Sequence, residues 1–384
     1  MKIISDDNVP NAAETIGRFG DLTVLPGRQI TREAVKDADI LIIRSITKAN
    51  KDLLEGSRVK FVGTTTIGYD HVDVEYLNKQ EIKFSSAPGS NSNSVSEYLT
   101  AALLLLAEKT GRKLEGSSIA IVGCGNVGSK VNRKMEALGM KCFLNDPPLF
   151  DKTNDPKYIP LDDAIRTADF VTVHVPLEKT GKHPTINMCD NKFFQKMKAG
   201  SVFINASRGK VVVEKALTDA LDSKHISHTI LDVWQNEPSI DPDMLARAFI
   251  GTPHIAGHSF DGMVNGSVVV YEALCKFLGE KPTATSAQLL PQSDVPFVDL
   301  SKDSGEDEAI LRKAVFAVYD ITRDDRGLRD ACCNREKLAE SFDKLRKNYW
   351  KRREFHYTTL ALPNNRETLL RKAEGLGFKI KSKN

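Results

Sequence analysis

Three short stretches set an arginine, an acid and a histidine just past the ends of apolar runs. They are Asn205-Ala206-Ser207-Arg208-Gly209, Leu231-Asp232-Val233-Trp234-Gln235-Asn236-Glu237-Pro238 and Thr252-Pro253-His254-Ile255-Ala256-Gly257. In open α/β sheets ligands sit outside the carboxyl ends of the strands, so side chains placed there are well placed for chemistry. Arginine offers a planar fork to a carboxylate, and histidine exchanges a proton near neutral pH. Each also has an ordinary use when it stands alone. An arginine after a strand is commonly an ion-pair partner, a Glu before Pro a solvated acid, and a single histidine a packed ring.

Upstream of all three lies a nucleotide pattern. Ile119-Ala120-Ile121-Val122 leads into Gly123-Cys124-Gly125-Asn126-Val127-Gly128, a helical pattern follows to Leu138, and the next strand finishes at Asp146. The strand before, the helix after and the acid beyond give the glycine spacing its specificity. Gly123 predicts a tight turn, Gly125 a close backbone approach to pyrophosphate, and Gly128 tight packing of helix on strand. The helix opening at Asn126 and Val127 offers N–H groups to the anion. Asp146 is placed to accept from ribose hydroxyls and to repel a 2′-phosphate. Pro147-Pro148 follow it with no arginine, so NAD is expected rather than NADP.

Positioning these groups takes elements. Lys2–Ser5, Leu22–Leu25, Ile40–Ile43, Phe61–Thr64 and Ile82–Ser85 predict strands, and Ala12–Phe19 and Val72–Gln80 carry helical spacing. A long helix is expected from residue 93 or 94 to Thr110, stopped by Gly111. A second series begins at Ser118, with strands at Ser118–Val122, Lys141–Leu144, Phe170–His174, Ser201–Asn205 and Thr229–Asp232. The apolar run Ala248–Gly251 and a helix from about Met263 to Phe277 follow it. Pro282–Asp303 reads as a linker. Beyond it, Asp307–Tyr319, Glu336–Asn348 and Arg366–Gly375 read as helices, and Phe355–Leu362 and Phe378–Lys381 as strands. The expected class is α/β: two doubly wound, Rossmann-like parallel-sheet domains and a small α+β C-terminal domain.

The 384 residues suit two or three domains, and 54 Lys plus Arg against 51 Asp plus Glu leave a charge of +3. That balance argues against a nucleic-acid partner. The basic, aromatic-interleaved run Lys344–Arg353 is expected to be a solvated helix face. The longest apolar stretch, Leu99–Ala107, is far shorter than the roughly 20 residues of a spanning helix, so no membrane is expected. The start, Met1–Asp7, turns acidic where a secretory segment stays apolar. The cysteines show neither metal-ligand nor disulfide-framework spacing, so reduced thiols in the cytoplasm and no metal are expected.

In their order, the glycine fingerprint, the Ala-Ser-Arg-Gly turn, Asp-Val-Trp…Glu-Pro and Pro-His-Ile-Ala-Gly resemble the D-isomer-specific 2-hydroxyacid dehydrogenases. The resemblance covers about residues 1–280. It implies Arg208, Glu237 and His254 as a catalytic trio, with His254 the proton acceptor, Glu237 its partner and Arg208 the carboxylate holder. It implies NAD, bound by Gly123, Gly125, Asn126, Val127, Gly128, Asp146, Ala206, Ser207, Arg208, Asp232 and Gly257. Val175 stands where the pattern has a hydroxyl residue, so its contact there must use backbone.

Further segments match a member of the family that oxidises a phosphorylated hydroxy acid and carries an extra C-terminal dimerisation domain. They are Arg44–Lys48, Lys60–Gly68, Asp70–Asp73, Ser86–Asn91 and Phe342–Tyr349. By that likeness Ser45 and Thr66 contact substrate, Arg44 meets its phosphate, and His258 replaces a tyrosine. His71 is expected to order its own loop, and Arg346 is a candidate to reach the substrate phosphate across a dimer. The implied domains are 1–93 with 256–282 for substrate, 94–255 for NAD, and 283–384 for homodimerisation. Two alternatives stand beside this one. One is a phosphoglycerate-, hydroxypyruvate- or lactate-type dehydrogenase, and the other an NAD-sensing corepressor.

Overall fold

Five strands, β1 (Lys2–Asp6), β2 (Asp21–Leu25), β3 (Ile40–Ile43), β4 (Phe61–Thr64) and β5 (Lys83–Ser85), form a parallel sheet. Its order is β2-β1-β3-β4-β5, so the winding reverses at β1. Strands β3 and β4 are buried along their whole length, as a sheet covered on both faces requires. Ile3, Ile40, Ile42 and Phe61 pack with Tyr271 and Leu274 of the helix Phe260–Leu278. Leu41, Ile43 and Val62 pack with Leu54 and Leu77 on the other face. The computed structural model describes residues 1–382 and divides into two compact units. This sheet belongs to the first, residues 1–91 with 258–292; the second is 92–257 with the described residues from 293 onward.

The second unit holds β6 (Ser118–Val122), β7 (Lys141–Asn145), β8 (Phe170–Val173), β9 (Ser201–Asn205), β10 (Ile226–Leu231) and β11 (Ile250–Gly251). All pair in parallel, in the order β11-β10-β9-β8-β6-β7. The helix Ser92–Thr110 is buried at every residue from Ser94 to Ala107. A helix buried on all sides needs cover on all sides. It packs on the helix Asn126–Ala137 and on the tail helix Asp307–Val318.

The tail adds β12 (Phe297–Asp299), β13 (Thr359–Ala361) and β14 (Lys379–Ile380), a parallel sheet in that order. Its apolar residues do not close on themselves. Ile310, Leu311, Leu369 and Leu376 join Leu99, Leu103 and Met135 in one core. Leu328, Leu338 and Phe342 join Trp234, Ile240 and Met244 in another.

Several expectations change. Ala12–Phe19 is a series of turns ending in a short 3-10 turn, Ile16–Phe19, with the Thr15 hydroxyl donating to Asn11 O at 2.6 Å. The segment Pro282–Asp303 is more than a linker, because it contains the one-turn helix Ser286–Leu289 and β12. Phe297 on β12 is 45% exposed, so this short strand carries little apolar alternation. Phe355–Leu362 divides into a 3-10 turn, Phe355–Tyr357, and β13. The helix Ile321–Cys332 had no counterpart, since only Ile321, Asp324 and Leu328 are buried on it. The basic run also departs from a solvated face: Arg352 and Arg353 are buried.

Candidate active site

The glycine turn has the geometry its spacing predicts. Gly123 sits at φ +89°, and a Cβ there would lie 2.5 Å from His174 O. A Cβ on Gly128 would fall 1.9 Å from Gly123 O, so the helix can approach the strand only with glycine. A Cβ on Gly125 would meet nothing within 4 Å, which leaves that face of the turn open to a pyrophosphate. The helix Asn126–Ala137 begins there without a side-chain cap, so its first N–H groups suit an anion. Asp146 Oδ2 accepts from Cys124 N at 2.7 Å and Oδ1 from Leu149 N at 2.9 Å. Each oxygen keeps a second lone pair for a ribose hydroxyl. Burial and the Asp146 charge push the Cys124 thiol up to about 12, so it stays protonated beside the turn. The side chain of Val175 lies against Gly123. These residues fit a dinucleotide.

Arg208, Glu237 and His254 lie on the loops that follow β9, β10 and β11. Beyond β9, Asn205 Oδ1 accepts from Ser207 N at 3.0 Å and from Ser207 Oγ at 2.9 Å, while its Nδ2 donates to Arg208 O. The turn leaves Arg208 half-buried, its Nη1 donating to Ser207 O at 2.8 Å. A Cβ on Gly209 would collide with Trp234 O at 1.8 Å, so the loops after β9 and β10 touch backbone to backbone. Glu237 Oε2 meets His254 Nδ1 at 2.7 Å, and Glu237 Oε1 accepts from Trp234 N at 2.8 Å. Burial would raise the Glu237 carboxyl. The His254 charge, these two bonds and the Arg346 charge outweigh it and hold Glu237 below the usual range.

His254 occupies a left-handed conformation, φ +56°. Asp232, buried at the end of β10, fixes the loop that carries it. Its Oδ1 accepts from Thr252 Oγ1 at 2.7 Å and Ile255 N at 2.8 Å, and its Oδ2 accepts from Ala256 N at 2.9 Å. Burial raises the Asp232 carboxyl above its ordinary value, against the His254 charge and these bonds. Tyr98 OH meets Thr252 Oγ1 at 2.8 Å, and Trp234 Nε1 donates to Thr252 O at 3.0 Å. Asn205, Tyr98 and Trp234 are supports that reading the sequence missed. Asn205 and Trp234 lay inside motifs already singled out, whereas Tyr98 comes from a distant helix and left no local signal.

The remaining candidates, Arg44, Ser45, Thr66 and His258, belong to the first unit. Arg44 follows β3 and donates through Nη1 to Asn8 O at 3.1 Å, and its charge bears on the buried Asp6 at the end of β1. Ser45 is exposed. Thr66 Oγ1 donates to Gly68 O at 2.8 Å and lies 2.7 Å from Thr64 Oγ1, which in turn meets His71 Nε2 at 3.0 Å. His71 thus ties its loop to the end of β4. His258 is half-buried where the chain re-enters this unit, with Gly257 just before it. Among the described residues, Glu97, Glu354 and His356 bring possible metal-ligand atoms within 4.8 Å of one another. Lys134 Nζ lies 3.9 Å from Glu97 in the same cluster.

Residues 102–256 match the D-isomer specific 2-hydroxyacid dehydrogenase, NAD binding domain, and residues 289–375 match a domain of unknown function, DUF3410. Over 356 residues the chain is 43% identical to an erythronate-4-phosphate dehydrogenase of Yersinia pestis strain Pestoides F, covering 92% of this chain and 93% of that protein. The chain belongs to the erythronate-4-phosphate dehydrogenase family. Within this family the turn at Gly123–Gly128 lies in an NAD-binding domain, and the match runs through the tail. Solved structures carry the fold further afield. An NAD+-bound 3-phosphoglycerate dehydrogenase of Entamoeba histolytica superposes with a TM-score of 0.63 at 23% identity, over 73% of this chain and 95% of that one. A formate dehydrogenase of Staphylococcus aureus in complex with NAD gives 0.62 at 22%, over 74% and 98%. Among the described residues, no helix is long and apolar enough to cross a membrane.

Proposed function

We propose that this chain oxidises the C2 hydroxyl of 4-phospho-D-erythronate to (R)-3-hydroxy-2-oxo-4-phosphobutanoate, with NAD as acceptor, in pyridoxine and pyridoxal 5′-phosphate biosynthesis. The observation that carries this reading is the 2.7 Å pairing of His254 Nδ1 with Glu237, set in a chain 43% identical to a relative of that name. NAD, when bound at the glycine turn, supplies the hydride acceptor. Glu237 fixes the His254 proton on Nδ1, which leaves the Nε2 lone pair to take the substrate hydroxyl proton. The charge of Glu237 then stabilises the imidazolium. Arg208 offers its fork to the substrate carboxylate. Arg44, Ser45, Thr66 and His258 are assigned to the rest of the substrate, with Arg44 toward the phosphate.

Product detection by mass spectrometry tests the assignment. Protein and NAD are mixed with 4-phospho-D-erythronate, D-3-phosphoglycerate, D-glycerate or D-lactate, with an oxo-acid present to recycle the cofactor. Product from phosphoerythronate alone is expected. Product only from another acid would overturn the substrate and keep the trio. No product from any, with NAD bound, would turn the reading to a corepressor. The same reading makes residues 283–384 a dimerisation domain of a cytoplasmic homodimer. Light scattering should return twice the 42.5 kDa chain mass, and a monomer would overturn that part.

A further inference from the structure

Arg352 is a charged side chain with no exposure to solvent, on a segment that no motif of the dehydrogenase chemistry includes. Its Nη2 donates to Ala256 O at 2.9 Å and to Ser94 O at 3.2 Å. Its guanidinium carbon stands 4.2 Å from the centre of the Tyr319 ring. The Tyr319 and Tyr349 hydroxyls both donate to Asp324 Oδ2, at 2.8 and 2.7 Å, which fixes the ring beneath the guanidinium. Burying a guanidinium is costly, and a point-charged ammonium cannot both stack on a ring and bridge two carbonyls in this way.

Ala256 is the other end of the loop that Asp232 holds. Its N–H is taken by Asp232 Oδ2 and its carbonyl by Arg352, so the peptides on both sides of the residue are fixed. His254 lies two residues upstream in a left-handed conformation. Asp232 and Thr252 constrain the loop from the sheet side, while from the tail Asp325 Oδ1 accepts from Gly251 N at its start and Arg352 holds Ala256 at its far end. The next residues of that segment are docked as well. Glu354 Oε1 accepts from Ser94 Oγ at 2.9 Å, and Phe355 N donates to Glu97 Oε1 at 2.9 Å.

We infer that Arg352 is a positioning residue for His254, through which the C-terminal region holds the proton acceptor in place. This rests on the reading of His254 given above. Misplacing a reacting group by about 1 Å costs up to roughly 100-fold in rate. Arg352→Met should therefore lower kcat roughly 10- to 100-fold, with the substrate KM and the NAD dissociation constant, read by fluorescence, within about twofold of wild type. Arg352→Lys, which can still donate to Ala256 O, should recover part of the loss.

A double-mutant cycle separates positioning from general loosening. In a His254→Ala background Arg352→Met should lower kcat by less than about twofold, because the group it positions is gone. An equal loss in both backgrounds, a parallel fall in NAD affinity, or an unchanged kcat in the single variant would overturn the inference. If Arg352→Met does not fold, the same cycle with Arg352→Lys decides. A His254→Ala protein that keeps wild-type kcat would instead overturn the proton-acceptor reading, so the two failures are told apart.

Discussion

A histidine at φ +56° spends about 1–3 kcal/mol on its backbone, and the loop around it supplies the restraint. Asp232 restrains that loop by accepting from one side-chain and two backbone donors. Asp232→Asn keeps one acceptor and turns an amide toward an N–H or hydroxyl that needs an oxygen. Thermal melts should show a loss of roughly 2–4 kcal/mol, with kcat falling alongside. A melting temperature within about a degree of wild type would contradict this role. His254→Asn should cost roughly 10²–10⁴-fold in kcat/KM, and Glu237→Gln less, since the amide can still meet Nδ1 without the charge. A His254→Asn loss under tenfold would rule His254 out as the proton acceptor. Arg208, Glu237 and His254 stand out as candidates because each lies past a strand end in a recognisable stretch, and the structure pairs the last two. The anchoring work of Asp232 was not, since two of its donors are backbone N–H groups that any sequence carries.

The elements that hold the nucleotide turn were legible for a different reason. Strands β6, β8 and β9 are buried throughout or nearly so, and such strands write themselves as short apolar runs. The helix Ile321–Cys332 escaped because Asp324, buried through hydrogen bonds to two tyrosines, takes one of its three core positions. Apolar periodicity cannot report a helix anchored by a carboxylate. At the turn, Gly128→Ala puts a methyl 1.9 Å from Gly123 O, and backbone rather than a flexible side chain must yield. The helix Asn126–Ala137 should tilt off the strand and carry its N-terminal N–H groups with it. NAD affinity by calorimetry is expected to fall at least about tenfold, or 1.4 kcal/mol. Affinity equal to wild type would show that the helix start tolerates the shift.

At the scale of the whole molecule, the sequence suggested a tail joined by a linker, and the structure gives it a core continuous with the dinucleotide unit. Composition cannot reveal such a seam, because shared burial looks the same in sequence as private burial. The seam also encloses charge. Glu97 and Glu354 are 1% and 2% exposed, and Lys134 lies 3.9 Å from Glu97 while donating to Leu376 O. Burial pushes the Glu97 carboxyl up to about 8, with Lys134 pulling it down and Glu354 pushing it further up. A carboxyl raised on folding stabilises the fold fully below its unfolded value of about 4.3, and that stability is lost as pH climbs toward the folded value. Glu97→Gln removes the titration at little cost, since Oε1 keeps its role toward Phe355 N and Asn93 Nδ2. The buried Oε2 has no hydrogen-bond partner for an amide to displace. In denaturant titrations from pH 5 to 9, the stability of the variant relative to wild type should rise steadily to about pH 8 and then level off. A difference that stays flat across that range would mean that Glu97 is ionised in the folded protein throughout, with Lys134 as a true ion-pair partner on the dinucleotide side of the seam.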